Sequence, residues 1–289
     1  MSLIGEAIVN GVLLGGIFAL SAVGFSLIFG VMDILNLTHG AVVIVSAFIS
    51  YFGFELYGID PFVSIVPIMS VMFVAGYAFQ RLVIVRILDA EILVTLLVTF
   101  GFALMLRNML ELTVTATPRS INPPYATEAI RTELLGPIPY VRLGALVVAL
   151  VMFGVLTWFL NSTDYGRKIR ATAENPQVAE LCGINTNHVY GITFGVGTAL
   201  AAAAGVLVGL TTTFQPIDEG IWTLYAFVVV ILGGFGKPAG ALLGGIILGL
   251  AWSFTTIYAG SQFAALVAFG LLVVMLLVRP QGILGGWEN

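Results

Sequence analysis

The sequence predicts an all-α, polytopic membrane bundle of about nine spanning helices, and three observations lead there. Composition is the first: the 289 residues are 59% hydrophobic and 9% charged, with a mean hydropathy of +1.07. An average soluble domain carries roughly 25% charged residues. Distribution is the second, because the apolar residues fall into nine runs near the 17 to 25 residues that roughly one bilayer crossing takes. Charge placement is the third, since the basic residues collect in a few connections between those runs. A single transmembrane domain over 1–289 follows. The net charge of -4 is spread thinly, with no basic or acidic block, which excludes nucleic acid as a partner. One cysteine, Cys182, excludes an internal disulfide, and two histidines are too few for a His-rich metal site.

In chain order, Met1-Ser-Leu-Ile-Gly-Glu6 lacks the basic start and cleavage site of a signal peptide, so the first run, 5–30, is expected to remain as a spanning helix. Further spans are expected at 38–57, 62–82, 92–113, 142–160, 188–213, 221–235, 238–258 and 261–278, the seventh being the shortest. The connections 81–91, with Arg81 and Arg86, and 161–187, with Arg167, Lys168 and Arg170, are basic and therefore expected on the cytoplasmic side. Counting outward places Lys237 and Arg279 inside, and the N-terminus, the 114–141 loop and the Gln215-Pro-Ile-Asp-Glu-Gly220 turn outside. Arg119, Arg131 and Arg142 run against this, but longer loops obey the rule less strictly.

Glycine is abundant, and Gly11/Gly15, Gly191/Gly195, Gly205/Gly209, Gly240/Gly244 and Gly245/Gly249 recur at a four-residue spacing that lets helix backbones approach closely in lipid. The segment Gly11-Val-Leu-Leu-Gly-Gly-Ile17 is echoed by Gly240-Ala-Leu-Leu-Gly-Gly-Ile246, on helices expected to run in opposite directions. Inverted repeats of that kind are common in transporters.

Between the first two runs, Asp33, Asn36, Thr38 and His39 interrupt the apolar sequence. At membrane depth such groups are costly unless paired or lining a cavity, which makes Asn36, Thr38 and His39 candidates for a translocation pathway. The alternative is an interfacial turn in which Asn36 or Thr38 caps the second helix and His39 meets water. Thr95 and Thr99, with Gly101, form a small polar strip on the fourth helix that suits either a pathway lining or close packing. Glu91, Arg107 and Glu111 flank the same helix and read as snorkelling ends.

The most polar stretch is Tyr165 to Gly183. Gly166 is expected to start a turn, Ala171 to Glu174 to form a helical turn, and Pro176 to open a second short helix capped by Asn175 and ended by Gly183 in the left-handed conformation. Ala171, Ala173 and Ala179 are expected to form a close-packed face, with Arg167, Arg170 and Glu174 as its polar rim. Together they make a platform against which a soluble protein can push. Enzymatic motifs are lacking in the sequence: neither histidine is followed by glutamate as H-E-x-x-H requires, and there is no G-x-S-x-G. In Ile231-Leu-Gly-Gly-Phe-Gly-Lys-Pro238, an Ile and a Pro stand where a P-loop needs Gly and Ser or Thr.

Four passages, spread nearly end to end, resemble the permeases of branched-chain amino acid ABC importers, in particular their H-type subunit. They are Ala22 to Gly40 with its Asn-x-x-His-Gly ending, Gly166 to Ile184 running into Thr193-Phe and Ala201-Ala-Ala-Ala-Gly-Val-Leu207, Leu232-Gly-Gly-Phe-Gly-Lys-Pro-Ala-Gly-Ala241, and Arg279-Pro-Gln-Gly-Ile-Leu-Gly285. The polar turn departs from the family in reading Leu-Thr-His where a small residue commonly precedes the His. The resemblance implies an ABC importer permease fold without a cofactor, with 161–187 as the cytoplasmic coupling loop to separate ATPase subunits. Implied partners are those ATPases, a second related permease or a second copy of this chain, and a periplasmic or extracellular solute-binding protein. The implied location is the bacterial inner membrane, and the implied cargoes are branched-chain and other amino acids, aromatic acids, amides or urea. A different class, an ATP-independent carrier or channel, would call for ionisable residues within the spans, and these are nearly absent from the runs. In a Cys182→Ser background, single cysteines at residues 175 and 218 should label from opposite faces of the membrane; same-side labelling would refute the nine-span arrangement.

Overall fold

The computed structural model describes residues 3–88, 90–114, 116–132 and 136–285. Eleven α-helices are present among them: α1 (Leu3–Met32), α2 (His39–Tyr57), α3 (Pro61–Leu82), α4 (Ile92–Val114), α5 (Tyr140–Ser162), α6 (Asp164–Glu174), α7 (Pro176–Leu181), α8 (Thr186–Thr211), α9 (Glu219–Gly233), α10 (Pro238–Tyr258) and α11 (Ala264–Val278). Nine of them, all except α6 and α7, belong to segments long and apolar enough to cross a membrane, as the sequence predicts. The 114–141 connection carries a small antiparallel hairpin, β1 (Ala129–Thr132) and β2 (Gly136–Pro139), with Ile130 opposite Ile138.

Local chemistry explains several boundaries. Pro61 opens α3 at a position that needs no N–H, while the Asp60 side chain accepts from Phe62 N at 2.9 Å. Tyr125 donates its hydroxyl to the other Asp60 oxygen at 2.7 Å, fastening the 114–141 connection to that cap. Burial, and then the Asp60 carboxylate, push the Tyr125 phenol above its ordinary range. At its far end α2 stops on Gly58 in the left-handed conformation, φ 64°.

Helices α1 and α8 are apolar on every face and form the enclosed centre of the bundle. They cross where a Cβ on Gly24 would lie 2.3 Å from the Gly197 carbonyl oxygen, so only glycine permits the approach. Around this crossing the chain repeats itself with opposite sense. A long central helix (α1 or α8) is followed by a return without α-helix (33–38, or 212–218 with a 3-10 turn at Pro216–Asp218), a helix beginning inside the bundle (α2 or α9), and a helix packed on the other central helix (α3 on α8, α10 on α1). An inverted repeat is therefore present, with α1 equivalent to α8 rather than to α10. The Gly11 and Gly240 segments that echo one another in sequence are not equivalents; they meet face to face. A Cβ on Gly15 would lie 2.8 Å from Ile246 Cα, and one on Gly249 would lie 2.3 Å from Gly11 O. Both segments need small residues at the same spacing because they line one antiparallel contact. The other glycine pairs serve similar approaches, Gly191 and Gly195 to α3, Gly205 to α2 and Gly244 to α9.

The two glycine-rich passages near the C-terminus also explain each other. Ile283 N and Leu284 N donate to the carbonyls of Leu232 and Gly233 at 2.9 and 3.2 Å, so the Arg279–Gly285 segment satisfies the C-terminal carbonyls of α9. Replacing Gly24 by Ala should lower the thermal midpoint of the purified protein, since overpacking at such a contact costs about 1–3 kcal/mol. Gly101→Ala, where an added Cβ meets nothing within 4 Å, should be neutral or stabilising, and an equal effect at both positions would contradict the crossing.

Candidate functional site

The chain does not turn at the end of α1 and start α2 at the bundle's edge. It leaves α1 through Asp33, the one described non-glycine residue with positive φ (52°), and runs back alongside α1 so that α2 begins beside Ser21. His39 Nε2 lies 2.7 Å from the Ser21 carbonyl, which can only accept, so the ring carries its hydrogen on Nε2. The neighbouring Phe25 ring meets it edge-on at 5.5 Å. Ser21 is well inside a 30-residue helix, which places this junction at membrane depth. The interfacial alternative fails on two counts: Thr38 occupies the N-cap position of α2 without a side-chain capping bond, and His39 is 1% exposed.

Non-helical backbone in such a place must find partners. Thr99 of α4 provides one, its Oγ1 accepting from Leu37 N at 3.3 Å, while its carbonyl accepts from the Thr38 side chain, Oγ1, at 2.8 Å. Asn36 turns its Oδ1 onto Thr38 N at 3.1 Å. From the other repeat, Thr223 of α9 accepts from Gly40 N at 2.9 Å and shares its own hydrogen between the carbonyls of Glu219, at 3.0 Å, and Leu37, at 3.3 Å. The starts of α2 and α9 thus touch, and a Cβ on Gly40 would lie 2.0 Å from Glu219 O. This is the discontinuous-helix arrangement by which polar groups are held near a bilayer's midplane.

Two cavities flank the network. One, about 290 Å³, is lined by Asn36, Thr38 and Thr198 together with apolar residues of α2, α3, α4 and α8. The other, about 310 Å³, is lined by Leu35, Leu37, Phe100, Phe227, Glu219 and Thr223, among others. Of the residues singled out as pathway candidates, Asn36 and Thr38 line a cavity, Thr99 braces the backbone behind them, and His39 points away into α1. Thr95 lies one turn along α4, donating to the Ile87 carbonyl at 3.4 Å, and lines neither cavity. Sequence reasoning missed Thr223 and Glu219. The brevity of the seventh apolar run was the available signal: α9 has 15 residues because it starts inside the bundle, and Glu219, read as part of an outside turn, is 6% exposed.

At the end of the bundle where α1 meets the α9–α10 connection, α6 and α7 form the polar platform. Thr163 caps α6 by accepting from Gly166 N at 3.0 Å, so the first helix is longer than expected. Gly166 sits within that helix and starts no turn; it is needed for space, since its Cβ would lie 2.2 Å from Leu160 O. Asn175 caps α7 by accepting from Val178 N at 3.0 Å, with Pro176 in the first turn, as expected. Gly183, at φ 82°, ends it: Gly183 N donates to Glu180 O at 2.9 Å and Ile184 N to Ala179 O at 3.0 Å, a Schellman motif. Ala171 and Ala173 are exposed with Arg167, Arg170 and Glu174, but Ala179 faces inward at 3% exposure. The apolar part of the exposed face comes instead from Val178 and Leu181. Arg167 pairs with Asp164, and Arg170 donates to the Leu160 carbonyl, which holds the platform against the end of α5.

Comparison with known proteins agrees with this architecture. The family described as branched-chain amino acid transport system / permease component matches residues 7–277. The high-affinity branched-chain amino acid transport system permease protein BraD of Pseudomonas aeruginosa is 33% identical over 97% of this chain and 95% of its own length. LivH of Escherichia coli (strain K12), a permease of the same description, is 31% identical over 96% of this chain and 94% of its own. A probable branched-chain amino acid transport permease of Methanocaldococcus jannaschii, LivM, is 29% identical over 48% of this chain and 46% of its own. No solved structure matches the chain significantly. With a family match over nearly the whole bundle and full-length relatives above 30% identity, this chain is a member of the branched-chain amino acid transport permease family.

Proposed function

We propose that this chain is the translocation subunit of an ATP-driven importer for branched-chain or related amino acids in a bacterial inner membrane, with 161–187 on the cytoplasmic side. The observation that carries the reading is the α6–α7 platform: two short helices, each with its own N-cap, set out beyond the spans with Ala171, Ala173, Val178 and Leu181 exposed between charged residues. Apolar and charged groups mixed in this way suit a protein contact better than a lipid headgroup layer. A separate ATPase bound there would act on α5 through Thr163 and on α8 through the bond from Thr186 Oγ1 to Glu180. The pathway would be built around Asn36, Thr38 and Thr99, with a second permease or a second copy of this chain completing it and a solute-binding protein delivering cargo at the Asp60–Tyr125 end.

An ATP-independent carrier is the second reading, and its support is Glu219, the kind of buried ionisable group an ion-coupled carrier uses. Both readings meet one experiment: leucine uptake by the complete assembly in proteoliposomes, with and without internal ATP. Uptake should require ATP hydrolysis, and Ala173→Trp should abolish both ATPase co-purification and solute-stimulated hydrolysis while leaving the protein inserted. If Ala173→Trp retains the ATPase and removal of Arg167, Lys168 and Arg170 disturbs only insertion, the platform is a topology anchor and the docking role is wrong.

A further inference from the structure

Glu219 is the most deeply buried carboxylate among the described residues, 6% exposed in the first turn of α9 and beside the start of α2. Its backbone carbonyl is used, accepting from Thr223, but among the described residues no hydrogen bond or ion pair reaches its side chain. The other carboxylates of this region are engaged: Asp218 accepts from Gln215 N at 2.9 Å and Glu111 pairs with Arg107 at 2.9 Å. A carboxylate enclosed to this degree is costly unless it is protonated or a cation meets it; Arg107 acts on it from a distance without bonding to it, which leaves the carboxylate open to an entering cation. The α9 N-terminus lowers that cost by placing its positive end against the charge, without supplying a counter-ion.

The cavity that Glu219 lines is otherwise suited to hydrocarbon. Phe25, Leu35, Leu37, Phe100, Leu224 and Phe227 make up most of a space of about 310 Å³, and Thr223 is its remaining polar side chain. One carboxylate in an apolar chamber is complementary to a small solute with one ammonium group and an aliphatic body. Arg107 of α4, itself paired with Glu111, bears on Glu219 electrostatically, so the field of a cation that a solute carboxylate would favour reaches this carboxylate. A urea or an uncharged amide could donate hydrogen bonds to Glu219 but would bring no positive charge to it.

We propose that Glu219 is the residue that selects zwitterionic aliphatic amino acids during passage, holding the ammonium group while the side chain occupies the cavity walled by Leu35, Leu37, Phe100 and Phe227. This rests on the transport reading above and adds to it a specificity residue within the chain. Selection at this point would act after delivery by any binding protein. Because Glu219 joins the two broken helices, occupancy by an ammonium would also neutralise the charge at the junction of the two repeats.

The test uses the complete assembly in proteoliposomes with leucine as the solute, comparing wild type, Glu219→Gln and Glu219→Asp. Glutamine keeps size and hydrogen-bonding capacity while removing the charge; aspartate keeps the charge with a shorter reach. Leucine imported per ATP hydrolysed should fall at least tenfold in Glu219→Gln and stay within about threefold of wild type in Glu219→Asp, with all subunits co-purifying in both. Equal stoichiometry in wild type and Glu219→Gln would overturn the proposal, as would equal losses in the two variants or loss of assembly in Glu219→Gln, since either would make the role one of shape. A wild-type assembly that imports no aliphatic amino acid would refute the transport reading itself, which is a distinguishable result.

Discussion

The non-helical segment from Asp33 to Thr38 can exist inside an apolar bundle only because other helices satisfy its backbone. Each unpaired N–H or C=O in such surroundings costs several kcal/mol, or roughly a third or more of a typical domain's net stability. Thr99 from α4 and Thr223 from α9 supply the missing partners, with Asn36 closing the turn locally. His39 adds a bond to the Ser21 carbonyl of α1. The position of α2, and with it the two cavities, depends on these few threonine hydroxyls. They come from both halves of the chain, so the junction forms only when the two repeats have docked.

Docking in turn depends on the removal of side chains. At the α1–α8 crossing and along the α1–α10 seam, glycines bring backbones to distances at which a single Cβ would overlap a carbonyl oxygen. In lipid this substitutes for the hydrophobic effect, which gives helices no reason to prefer one another over hydrocarbon chains. The bundle is therefore tightest where its residues are smallest. The outer helices α4 and α11 carry larger, more exposed apolar side chains, as expected of surfaces that face lipid or another subunit.

The platform and the broken helices share packing partners. Helix α6 packs on α1, α5 and α8, and α8 is the central helix whose return segment leads into α9. Under the proposed transport role, a displacement applied to α6 and α7 would reach Glu219 and Thr223 through α8, and the segment 33–38 through α1. Both ends of the junction would move relative to α4, which holds Thr99. Such a pair of levers acting on a common hinge is an arrangement in which a push from one end of the molecule can rearrange cavities near its centre.

Much of this was legible in the linear sequence because the bilayer imposes simple rules. Apolar run length determined the nine spans, turn chemistry determined the caps at Asn175 and Gly183, and four-residue glycine spacing marked the close helix contacts. What the sequence could not decide was depth. A polar cluster such as Asp33 to His39 looks the same at an interface as in the interior of a broken helix, since the difference lies in Thr99 and Thr223, 60 and more residues away. Glu219 was read as part of a turn outside the membrane for the same reason, and Ala179 as part of the platform's contact face when its side is decided by how α7 rests on its neighbours. The echo between the Gly11 and Gly240 segments reflected a shared contact surface, whereas the true inverted equivalence of α1 with α8 has little sequence signature because it is carried by backbone path. Local pattern and composition determined which segments enter the membrane; long-range hydrogen bonds and the sizes of facing residues decided where within it each chemical group came to rest.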